Sequence, residues 1–512
     1  MTSRLNLRFT GQQFDEIYSH LYREDGEEHG VVLLAGLAKI GEDIRLMVRE
    51  VHLANDGTDY VRKSGHYALK SSFIRPLIHR ARNRRLVYLA VHNHGSGDRV
   101  SFSDVDLHSH EEGYPALLDL AAGMPVGALV FGTKSIQADL WMPDGRRLRL
   151  DSALIVGNTV RRLYPRPPRV ADSEAEQFYR QVLMFGKAGQ ACLREMKVAV
   201  IGLGGIGSLV VEYLARLGVG HFTLVDDDVV ETTNLSRLVG ATDDDARARR
   251  NKLDVAERHI REVNKLASVN KLLGDVAAPS IVEQLKSMDY IFLAADTMRA
   301  RLVVNGLTQQ FFIPAVQLGA KVVVNPETLE LEDAMSVVRP MRPGCGCLHC
   351  SGLINQHKLT LEFLPEQEHR DANYGLEEPN PSVITLNAVS ASHAVNDFLL
   401  DMLELRSDGG FSYRHMSHVN RQRAPVTTPR FDGRCSECGT AGNDSRFAMG
   451  DAIDVLAFDQ FEARASVGTQ ATMEPKSNEE VSTPGIYSPI NHDRIGRTWR
   501  NRLRSAWSAV FG

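Results

Sequence analysis

Long apolar runs are missing from this chain of 512 residues. No stretch reaches the roughly 18 consecutive apolar residues that a membrane-spanning helix needs, and no secretory signal peptide is recognisable. We therefore expect no membrane span and a cytoplasmic location.

A strong charge of either sign is also absent. The formal net charge is −5, so the composition offers no basic excess that would attract a nucleic acid. Hydrophobic residues make up 43% of the chain, as in an ordinary globular protein, and the length allows about three domains. We expect no nucleic-acid partner.

Cysteine is scarce, with six residues in all, and four of them form two C-x-x-C pairs. The pairs are Cys347 with Cys350 and Cys435 with Cys438. In a reducing compartment such pairs are more often metal ligands than disulfides. Closing the long loop between them costs only about 0.6 kcal/mol per doubling of its length, against roughly 10 kcal/mol gained from zinc binding. We predict one structural zinc site with four thiolate ligands.

The most informative stretch is residues 197–237, in which an apolar run, a glycine turn and a helical pattern follow one another. The turn contains Gly202, Gly204 and Gly207 in the order G-x-G-x-x-G. Gly204 lets the backbone approach a phosphate, and Gly207 lets the helix pack close to the strand. Asp226 ends the next apolar run, where a carboxylate can bind a ribose hydroxyl. This pattern predicts a nucleotide site.

Charged residues around the glycine turn favour adenylation over hydride transfer as the reaction at this site. Attack of a carboxylate on an α-phosphate needs cations that spread the developing charge, and a strand-end aspartate can hold magnesium. Hydride transfer needs no cation beside the phosphates. The relevant residues are Asp226, Asp228, Asn234, Arg237, Lys252 and Asp296.

These motifs closely resemble the ThiF/MoeB family, the activating enzymes of ubiquitin-like proteins. Upstream, residues 179–181 (YRQ) and 185–186 (FG) match the opening helix of that family. The resemblance implies a Rossmann-like doubly wound sheet, ATP and Mg²⁺ as cofactors, and a homodimer in which Arg180 reaches the partner's ATP site. The glycines would face the phosphates, Asn234, Arg237 and Lys252 the triphosphate, and Asp296 the magnesium.

Two histidines mark a second candidate site nearer the N-terminus. The apolar run LVYLAV leads into His92 and His94, which share one face of a strand because they lie two residues apart. Ser103 and Asp106 follow at a predicted helix start. Two imidazoles and one carboxylate leave a fourth zinc position open for water, which is the catalytic arrangement.

This second pattern resembles the JAMM (JAB/MPN) metalloprotease motif. The resemblance implies that His92, His94 and Asp106 hold a catalytic zinc ion and that Ser103 stabilises the oxyanion. It also implies an upstream glutamate as general base, for which Glu28 is our choice and the neighbouring Glu27 the alternative.

A thioester intermediate needs a cysteine, and the region where conjugating members of the ThiF/MoeB family carry theirs has none. No cysteine occurs in residues 351–434. Cys345, beside the first zinc pair, and Cys192 are the remaining candidates. Our working hypothesis is adenylation without an obligatory thioester on this chain.

Together these patterns predict a fusion of two α/β enzymes. We expect a JAMM domain of JAB/MPN type over residues 1–160, a proline-rich linker over 161–175, a ThiF/MoeB-type domain over 176–442, and a largely flexible tail over 443–512 that ends in an amphipathic helix. The adenylating half would activate the C-terminal glycine of a ubiquitin-like protein that the peptidase half processes. The resemblance points to a bacterial conjugation pathway with a conjugating enzyme as partner, antiphage defence being one setting. The alternative is a sulfur-carrier protein activated to a thiocarboxylate for cofactor or cysteine biosynthesis.

Overall fold

Two eight-stranded sheets, one from each half of the sequence, organise the chain in a computed structural model. The structure describes residues 3–63, 66–95, 97–166, 176–325, 327–364, 381–406, 413–416, 420, 423, 425–439, 449–450 and 461. All of these residues belong to one compact unit.

The N-terminal sheet curls until its first strand pairs with two others. Its strands are β1 (Leu5–Thr10), β2 (Gly30–Ile40), β3 (Asp43–Leu53), β6 (Val87–Asn93), β7 (Val126–Gly132), β8 (Ser135–Trp141), β9 (Arg147–Val156) and β10 (Val160–Leu163), and β4 (Tyr60–Lys63) pairs with β5 (His66–Leu69) in a separate hairpin. The order is β1-β3-β2-β6-β7-β8-β9-β10, and β1 also pairs in parallel with β9, so the sheet closes on itself. The helices of this half are α1 (Gly11–Leu21), α2 (Ser71–Arg84) and α3 (Asp104–Ala121).

The start of α3 is fixed by a reciprocal pair of side-chain caps. Ser103 Oγ accepts the N–H of Asp106, and the Asp106 carboxylate accepts the backbone N–H of Ser103. This capping box satisfies two N–H groups that a helix start otherwise leaves without partners. It also holds the Asp106 side chain against the carboxyl end of β6, where the two histidines lie.

The C-terminal sheet has the strand order of a doubly wound nucleotide-binding fold. Its strands are β11 (Lys197–Ile201), β12 (His221–Asp226), β13 (Ser268–Leu273), β14 (Tyr290–Leu293), β15 (Ala315–Val324), β16 (Leu331–Met341), β17 (Tyr413–Met416) and β18 (Val426–Thr427). The first five are parallel in the order β13-β12-β11-β14-β15, which confirms the predicted Rossmann-like α/β fold of this half. The last three extend the sheet in antiparallel fashion.

Helices flank this sheet. They are α4 (Tyr179–Glu195), α5 (Gly205–Leu217), α6 (Asp243–Arg247), α7 (Lys252–Val263), α8 (Pro279–Leu285), α9 (Met298–Phe311), α10 (Gln356–Glu362) and α11 (Ile384–Met402). None of the helices in the described ranges is both long and apolar enough to cross a membrane.

The two halves share one hydrophobic core. Leu154, Val156 and Val160 of the N-terminal sheet belong to the same buried cluster as Leu193 and Met196, which end α4. Apolar side chains from both halves are buried together here. Each Å² of apolar surface that is removed from water stabilises the fold by about 25 cal/mol. The halves therefore cannot separate without exposing part of a common core.

The structure changes the predicted domain limits. Strand β10 runs to Leu163, so the predicted linker over residues 161–175 begins inside the N-terminal sheet, while residues 167–175 lie outside the described residues. Three residues of the predicted, largely flexible tail over residues 443–512 are described, and each of them contacts the rest of the chain. Gly450 donates its N–H to Gln309 O at 2.9 Å, Met449 O accepts from Arg49, and Phe461 is fully buried. The predicted C-terminal helix lies outside the described residues.

A half-buried carboxylate also joins the halves. Asp289, just before β14, lies 3.8 Å from Arg8 of β1 and 3.5 Å from Arg162 of β10, and it accepts the N–H of Lys197 at 3.1 Å. Burial by itself would raise the pKa of Asp289, but Arg162 and Arg8 outweigh it and hold that pKa below its usual value. Asp289 is therefore charged, and it balances arginines from the other half.

We expect Asp289→Asn to lower the free energy of unfolding by about 3 kcal/mol, because it leaves buried arginines without their carboxylate while keeping a hydrogen-bond acceptor for Lys197. The urea midpoint of the purified chain at neutral pH measures this, with the exposed Asp151→Asn as control. Since the folded pKa of Asp289 is lowered, its stabilisation is present above about pH 4 and should disappear as the pH falls further. Equal midpoints for the two variants would contradict the role given to Asp289.

Candidate functional site

A cleft of about 1120 Å³ opens at the carboxyl ends of β11, β12 and β14. Ligands of doubly wound sheets bind at this edge, next to the point where the strand order reverses. Gly202, Gly204 and Gly205 line it between β11 and α5. Gly202 has a φ of +86°, a left-handed conformation that favours glycine. The predicted glycine turn thus forms part of the cleft wall.

Gly207 and Gly204 have different surroundings. A Cβ atom on Gly207 would lie 1.8 Å from Gly202 O, so only glycine lets α5 begin this close to the turn. A Cβ atom on Gly204 would meet no protein atom within 4 Å. Gly207 does not line the cleft, in contrast to its predicted place at the phosphates. These distances favour a packing role for Gly207 and leave space for a ligand above Gly204.

Asp226 connects the glycine turn to β12. Its Oδ2 accepts the N–H of Leu203 at 2.5 Å, and its Oδ1 accepts the N–H of Asp228 at 2.9 Å. Lys252, the first residue of α7, places Nζ 2.5 Å from Asp228 Oδ2 and 4.0 Å from Asp226 Oδ1. Burial raises the pKa of Asp226, and the Lys252 ammonium opposes that rise. Two carboxylates and a cation therefore meet at one wall of the cleft.

The other predicted nucleotide ligands divide into two groups. Arg237 and Asp296 line the cleft, and the Arg237 chain lies against Gly205. Asn234 does not line it, because its Oδ1 accepts the N–H of Glu231 at 3.2 Å and caps a short helical turn. The predicted contact between Asn234 and the triphosphate is thus not provided by this arrangement. Arg180 lies exposed on α4 and does not line the cleft of its own chain.

Sequence reasoning missed most of the cleft's other polar residues. They include Arg299, Arg301, Gln317, Lys321, Arg339, Lys358 and Asn387. Arg299 and Arg301 follow Asp296 at the start of α9, so their position directly after a parallel strand could have indicated them. The remaining residues come from the last parallel strand β15, the antiparallel strand β16 and the C-terminal helices, where no local motif marks a ligand site.

The four cysteines of the two C-x-x-C pairs come together in space. Their Sγ atoms lie 3.8 Å apart between Cys347 and Cys350, 3.6 Å between Cys347 and Cys435, and 3.4 Å between Cys350 and Cys438. A tetrahedral zinc site with Zn–S bonds of about 2.3 Å has S···S edges of about 3.8 Å. Four thiols at this spacing fit a structural zinc ion.

The two remaining cysteines lie away from the nucleotide cleft. Neither Cys192 nor Cys345 lines it. Burial raises the pKa of the Cys192 thiol, which lies near Arg162 and Asp289 between the two halves. Neither position brings a thiol to the place where a nucleotide would bind.

The predicted histidine site is assembled from one strand end and one helix start. The Nε2 atoms of His92 and His94 lie 3.1 Å apart, and they are 3.5 Å and 3.3 Å from the two carboxylate oxygens of Asp106. Three ligand atoms bound at about 2.0–2.1 Å in tetrahedral geometry would be separated by about 3.3 Å. These donors fit one zinc ion, and all three side chains are partly open to solvent.

Neighbouring groups orient these donors. His94 Nδ1 lies 3.1 Å from Ser101 O, an arrangement that leaves Nε2 free for a metal when Nδ1 carries the proton. Ser103 donates from Oγ to Asp106 Oδ2 at 2.7 Å. Burial would raise the pKa of Asp106, but hydrogen bonds from His92 and His94 outweigh it and hold the carboxyl well below its usual pKa. In this arrangement Ser103 positions Asp106, and its hydroxyl does not face an open oxyanion position.

Glu28 lies at the edge of this site. It precedes β2, whose Gly30 pairs with His92 of β6, and its charge contributes to raising the pKa of His94, after the larger effect of the Asp106 hydrogen bond. His29 anchors the segment through its N–H to Asn93 Oδ1 at 2.8 Å and its imidazole to Asp25 at 3.0 Å. These bonds anchor the backbone next to Glu28, whose own side chain is exposed.

Residues 178–399 match the ThiF family. The chain is 37% identical to the sulfur carrier protein ThiS adenylyltransferase of Bacillus subtilis (strain 168), over 25% of this chain and 38% of that protein. It is 33% identical to the SAMP-activating enzyme E1 of Haloferax volcanii, over 28% of this chain and 53% of that protein. These matches support a ThiF/MoeB-type adenylyltransferase domain.

The name of a third relative refers to a tRNA nucleoside and not to a carrier protein. The chain is 27% identical to the tRNA threonylcarbamoyladenosine dehydratase of Escherichia coli (strain K12), over 33% of this chain and 63% of that protein. This chain thus spans between 38% and 63% of the length of these three relatives. Their names alone do not select one substrate.

We expect Gly207→Ala and Gly204→Ala to separate packing from ligand approach. Gly207→Ala places Cβ against Gly202 O and should lower the free energy of unfolding by about 3 kcal/mol or more. Gly204→Ala meets no protein atom and should change stability by about 1 kcal/mol or less. It should nevertheless weaken ATP binding about tenfold, because the methyl group occupies ligand space. Urea unfolding and calorimetric ATP titration measure the two effects, and a Gly204→Ala chain with normal ATP affinity would place the phosphates elsewhere.

Proposed function

We propose that the C-terminal half adenylates the C-terminal carboxylate of a ubiquitin-like or sulfur-carrier protein with ATP. The observation that carries this proposal is the cleft, which combines a glycine turn, an acidic residue at the end of β12 and two basic side chains, Arg237 and Lys252. The names of two relatives, which refer to a sulfur carrier protein and to SAMP activation, support this class of substrate.

The cleft residues suit attack of a carboxylate on the α-phosphate of ATP. The carboxylate oxygen forms a bond to phosphorus as the bond to the β-phosphate breaks, which releases pyrophosphate. Arg237 and Lys252 would stabilise the developing negative charge, and Asp226 would hold the ribose. Asp228 and Asp296 supply carboxylate oxygens of the kind that magnesium binds. Lys252 would exchange its present partner Asp228 for a phosphate oxygen.

We assign Arg180 to the site of a second copy. Arg180 is exposed on α4 and does not line the cleft of its own chain. A residue that acts in the partner's site of a homodimer is expected to have such a position. Its neighbours Tyr179, Leu183 and Met184 are at least 61% exposed, and an association face would cover them.

For the N-terminal half we propose a zinc-dependent peptidase that processes the same carrier. His92, His94 and Asp106 would hold the metal, and the supporting observation is their tetrahedral spacing. Zinc bound there would lower the pKa of a water molecule towards about 7. Glu28 would accept a proton and pass it to the leaving amine, with Glu27 as the alternative base. Ser103 would hold Asp106 in place through its hydrogen bond. For the oxyanion role that the resemblance implies, the Ser103 hydroxyl would have to rotate away from Asp106.

One chain would then expose a terminal glycine and activate it. A bacterial ubiquitin-like conjugation pathway, with antiphage defence as one setting, uses the activated tail to modify lysines through a conjugating enzyme. Sulfur transfer to a thiocarboxylate is the second candidate, favoured by the absence of Cys192 and Cys345 from the cleft. Lysine adducts in a reaction with cell extract would identify conjugation, and a sulfide-dependent thiocarboxylate would identify sulfur transfer.

The adenylation proposal predicts carrier-dependent exchange of labelled pyrophosphate into ATP. We expect Lys252→Met to slow this exchange about 10²–10³-fold, because it removes one charge from the transition state. Lys265→Met, an exposed lysine outside the cleft, is the matched control and should keep the full rate. Exchange that proceeds equally in both variants would exclude Lys252 from the reaction.

The zinc proposals predict about two zinc ions per chain by mass spectrometry of metals. Asp106→Ala should lose one ion and the cleavage of a carrier precursor, and should retain pyrophosphate exchange. Cys438→Ser should lose the other ion and unfold at a lower temperature, because a four-thiolate site contributes to folding. If Asp106→Ala kept its zinc content and its cleavage rate, the peptidase assignment would be wrong.

A further inference from the structure

The segment that carries Glu28 runs beside the end of β6 but outside the sheet. Gly30, the first residue of β2, pairs with His92 of β6 in an antiparallel register. Continuing this register by two residues places Glu28 opposite His94. The described residues 26–29 belong to no helix or strand, so the backbone ladder of the sheet does not hold them in that register.

A side-chain hydrogen bond replaces the ladder at this point. His29 donates its N–H to Asn93 Oδ1 at 2.8 Å, and the two residues are only 5% and 7% exposed. Asn93 lies between His92 and His94 in the sequence, and successive side chains of a strand point to opposite faces. The bond therefore lies on the buried face of β6, behind the candidate zinc ligands.

The imidazole of His29 is anchored as well. Its Nε2 lies 3.0 Å and 3.1 Å from the two carboxylate oxygens of Asp25, and its Nδ1 lies 3.6 Å from Asp56 Oδ1. Arg23 in turn donates to Asp56 at 2.6 Å. His29 is thus fixed through both its main chain and its side chain, while the side chain of the adjacent Glu28 is exposed.

An apolar side chain would suffice to pack the buried strand position of Asn93. A buried amide is costly unless it is hydrogen-bonded, and the bond of Asn93 Oδ1 goes to the segment before β2. The two C-terminal neighbours in this alignment, Glu28 and His94, belong to the candidate site. The amide therefore joins the segment of the predicted base to the strand of the predicted zinc ligands.

We propose that Asn93 is a positioning residue for the peptidase reaction, which through His29 holds the backbone of Glu28 so that the carboxylate faces the zinc position. This inference rests on the proposed peptidase function, with Glu28 as general base. A base must lie within about 2.6–3.2 Å of the group whose proton it accepts, and a displacement of about 1 Å can slow a reaction about 10²-fold. An anchor on the buried face limits such displacement of an otherwise exposed segment.

The test is a double-mutant cycle on cleavage of a carrier precursor by the full chain. Asn93→Leu has nearly the shape of asparagine but no acceptor, and we expect it to lower kcat about 10–100-fold, with KM within about twofold and the zinc content unchanged. In a Glu28→Gln chain, which has already lost the base, Asn93→Leu should cost no more than about twofold further. Asn93→Asp keeps an acceptor oxygen and should keep most of the rate.

The matched control is Asn6→Leu. Asn6 lies on β1 of the same sheet, and its Oδ1 accepts one hydrogen bond, from Ser152 Oγ at 3.1 Å. This variant loses a comparable bond away from the histidines and should keep the full kcat.

Hydrogen exchange followed by mass spectrometry measures the anchor without any cleavage. Peptides that contain the His29 amide should exchange about tenfold or more faster in Asn93→Leu and at the normal rate in Asn6→Leu, because only the first loses the acceptor of that N–H. Asp25→Ala loosens the same segment from the imidazole side. Since Asp25 is 46% exposed, this variant tests the proposal even if Asn93→Leu does not fold, and it should show the same dependence on Glu28.

Equal losses of kcat with and without Glu28 would show that Asn93 acts only on general stability, and would overturn the proposal. Loss of zinc from Asn93→Leu, unchanged exchange at His29, or a non-additive cycle with Glu27→Gln in place of Glu28→Gln would overturn it too. Failure of the peptidase function has a different signature. In that case the unaltered chain cleaves no precursor although the exchange at His29 still responds to Asn93→Leu, so the positioning role falls with the function and only the anchor remains.

Discussion

Two arginines of the N-terminal sheet donate hydrogen bonds to carbonyls at the carboxyl ends of two helices in the other half. The shape of the nucleotide cleft depends on the positions of these helices and of the neighbouring strand β14. Arg8 binds the carbonyls at the end of α9, and Arg45 binds the carbonyl after α8. Guanidinium groups suit helix carboxyl ends because the free carbonyls there carry partial negative charge. Helix α9 begins at the cleft, and β14 runs to the cleft from Asp289. Contacts from the N-terminal half therefore fix the positions of α9 and β14, which form one wall of the cleft.

Both candidate sites use the junction between a strand end and a helix start. His92 and His94 lie at the end of β6, and Asp106 lies in the first turn of α3, where the capping box holds it. The glycine turn likewise connects β11 to α5. Such junctions offer free N–H groups and side chains that rigid elements orient, so the same geometry can serve a metal and a phosphate.

The sequence was informative wherever short-range rules decide the structure. The glycine turn, the H-x-H pair and the two C-x-x-C pairs each have ligands at fixed local spacing, and the structure brings each set together. Prediction failed where distant packing decides. Nothing local shows that Arg8 would meet Phe312, about 300 residues away, or that residues near Gly450 would contact the N-terminal sheet. Asn234 was assigned by motif alone, and a local cap competes for its amide.

The fate of the acyl group follows from what lies beside the cleft. The helix α11 follows the segment in which the family resemblance places a nucleophilic cysteine, and the residue of α11 at the cleft is Asn387, which donates to Ser382 at 3.1 Å. An amide cannot accept an acyl group as a thiol does. No cysteine is present in residues 351–434, and among the described residues lining the cleft there is no thiol. An acyl-adenylate formed there would need an acceptor from outside this cleft. The chemistry of that acceptor, a partner's thiol or a sulfur donor, is what separates conjugation from sulfur transfer.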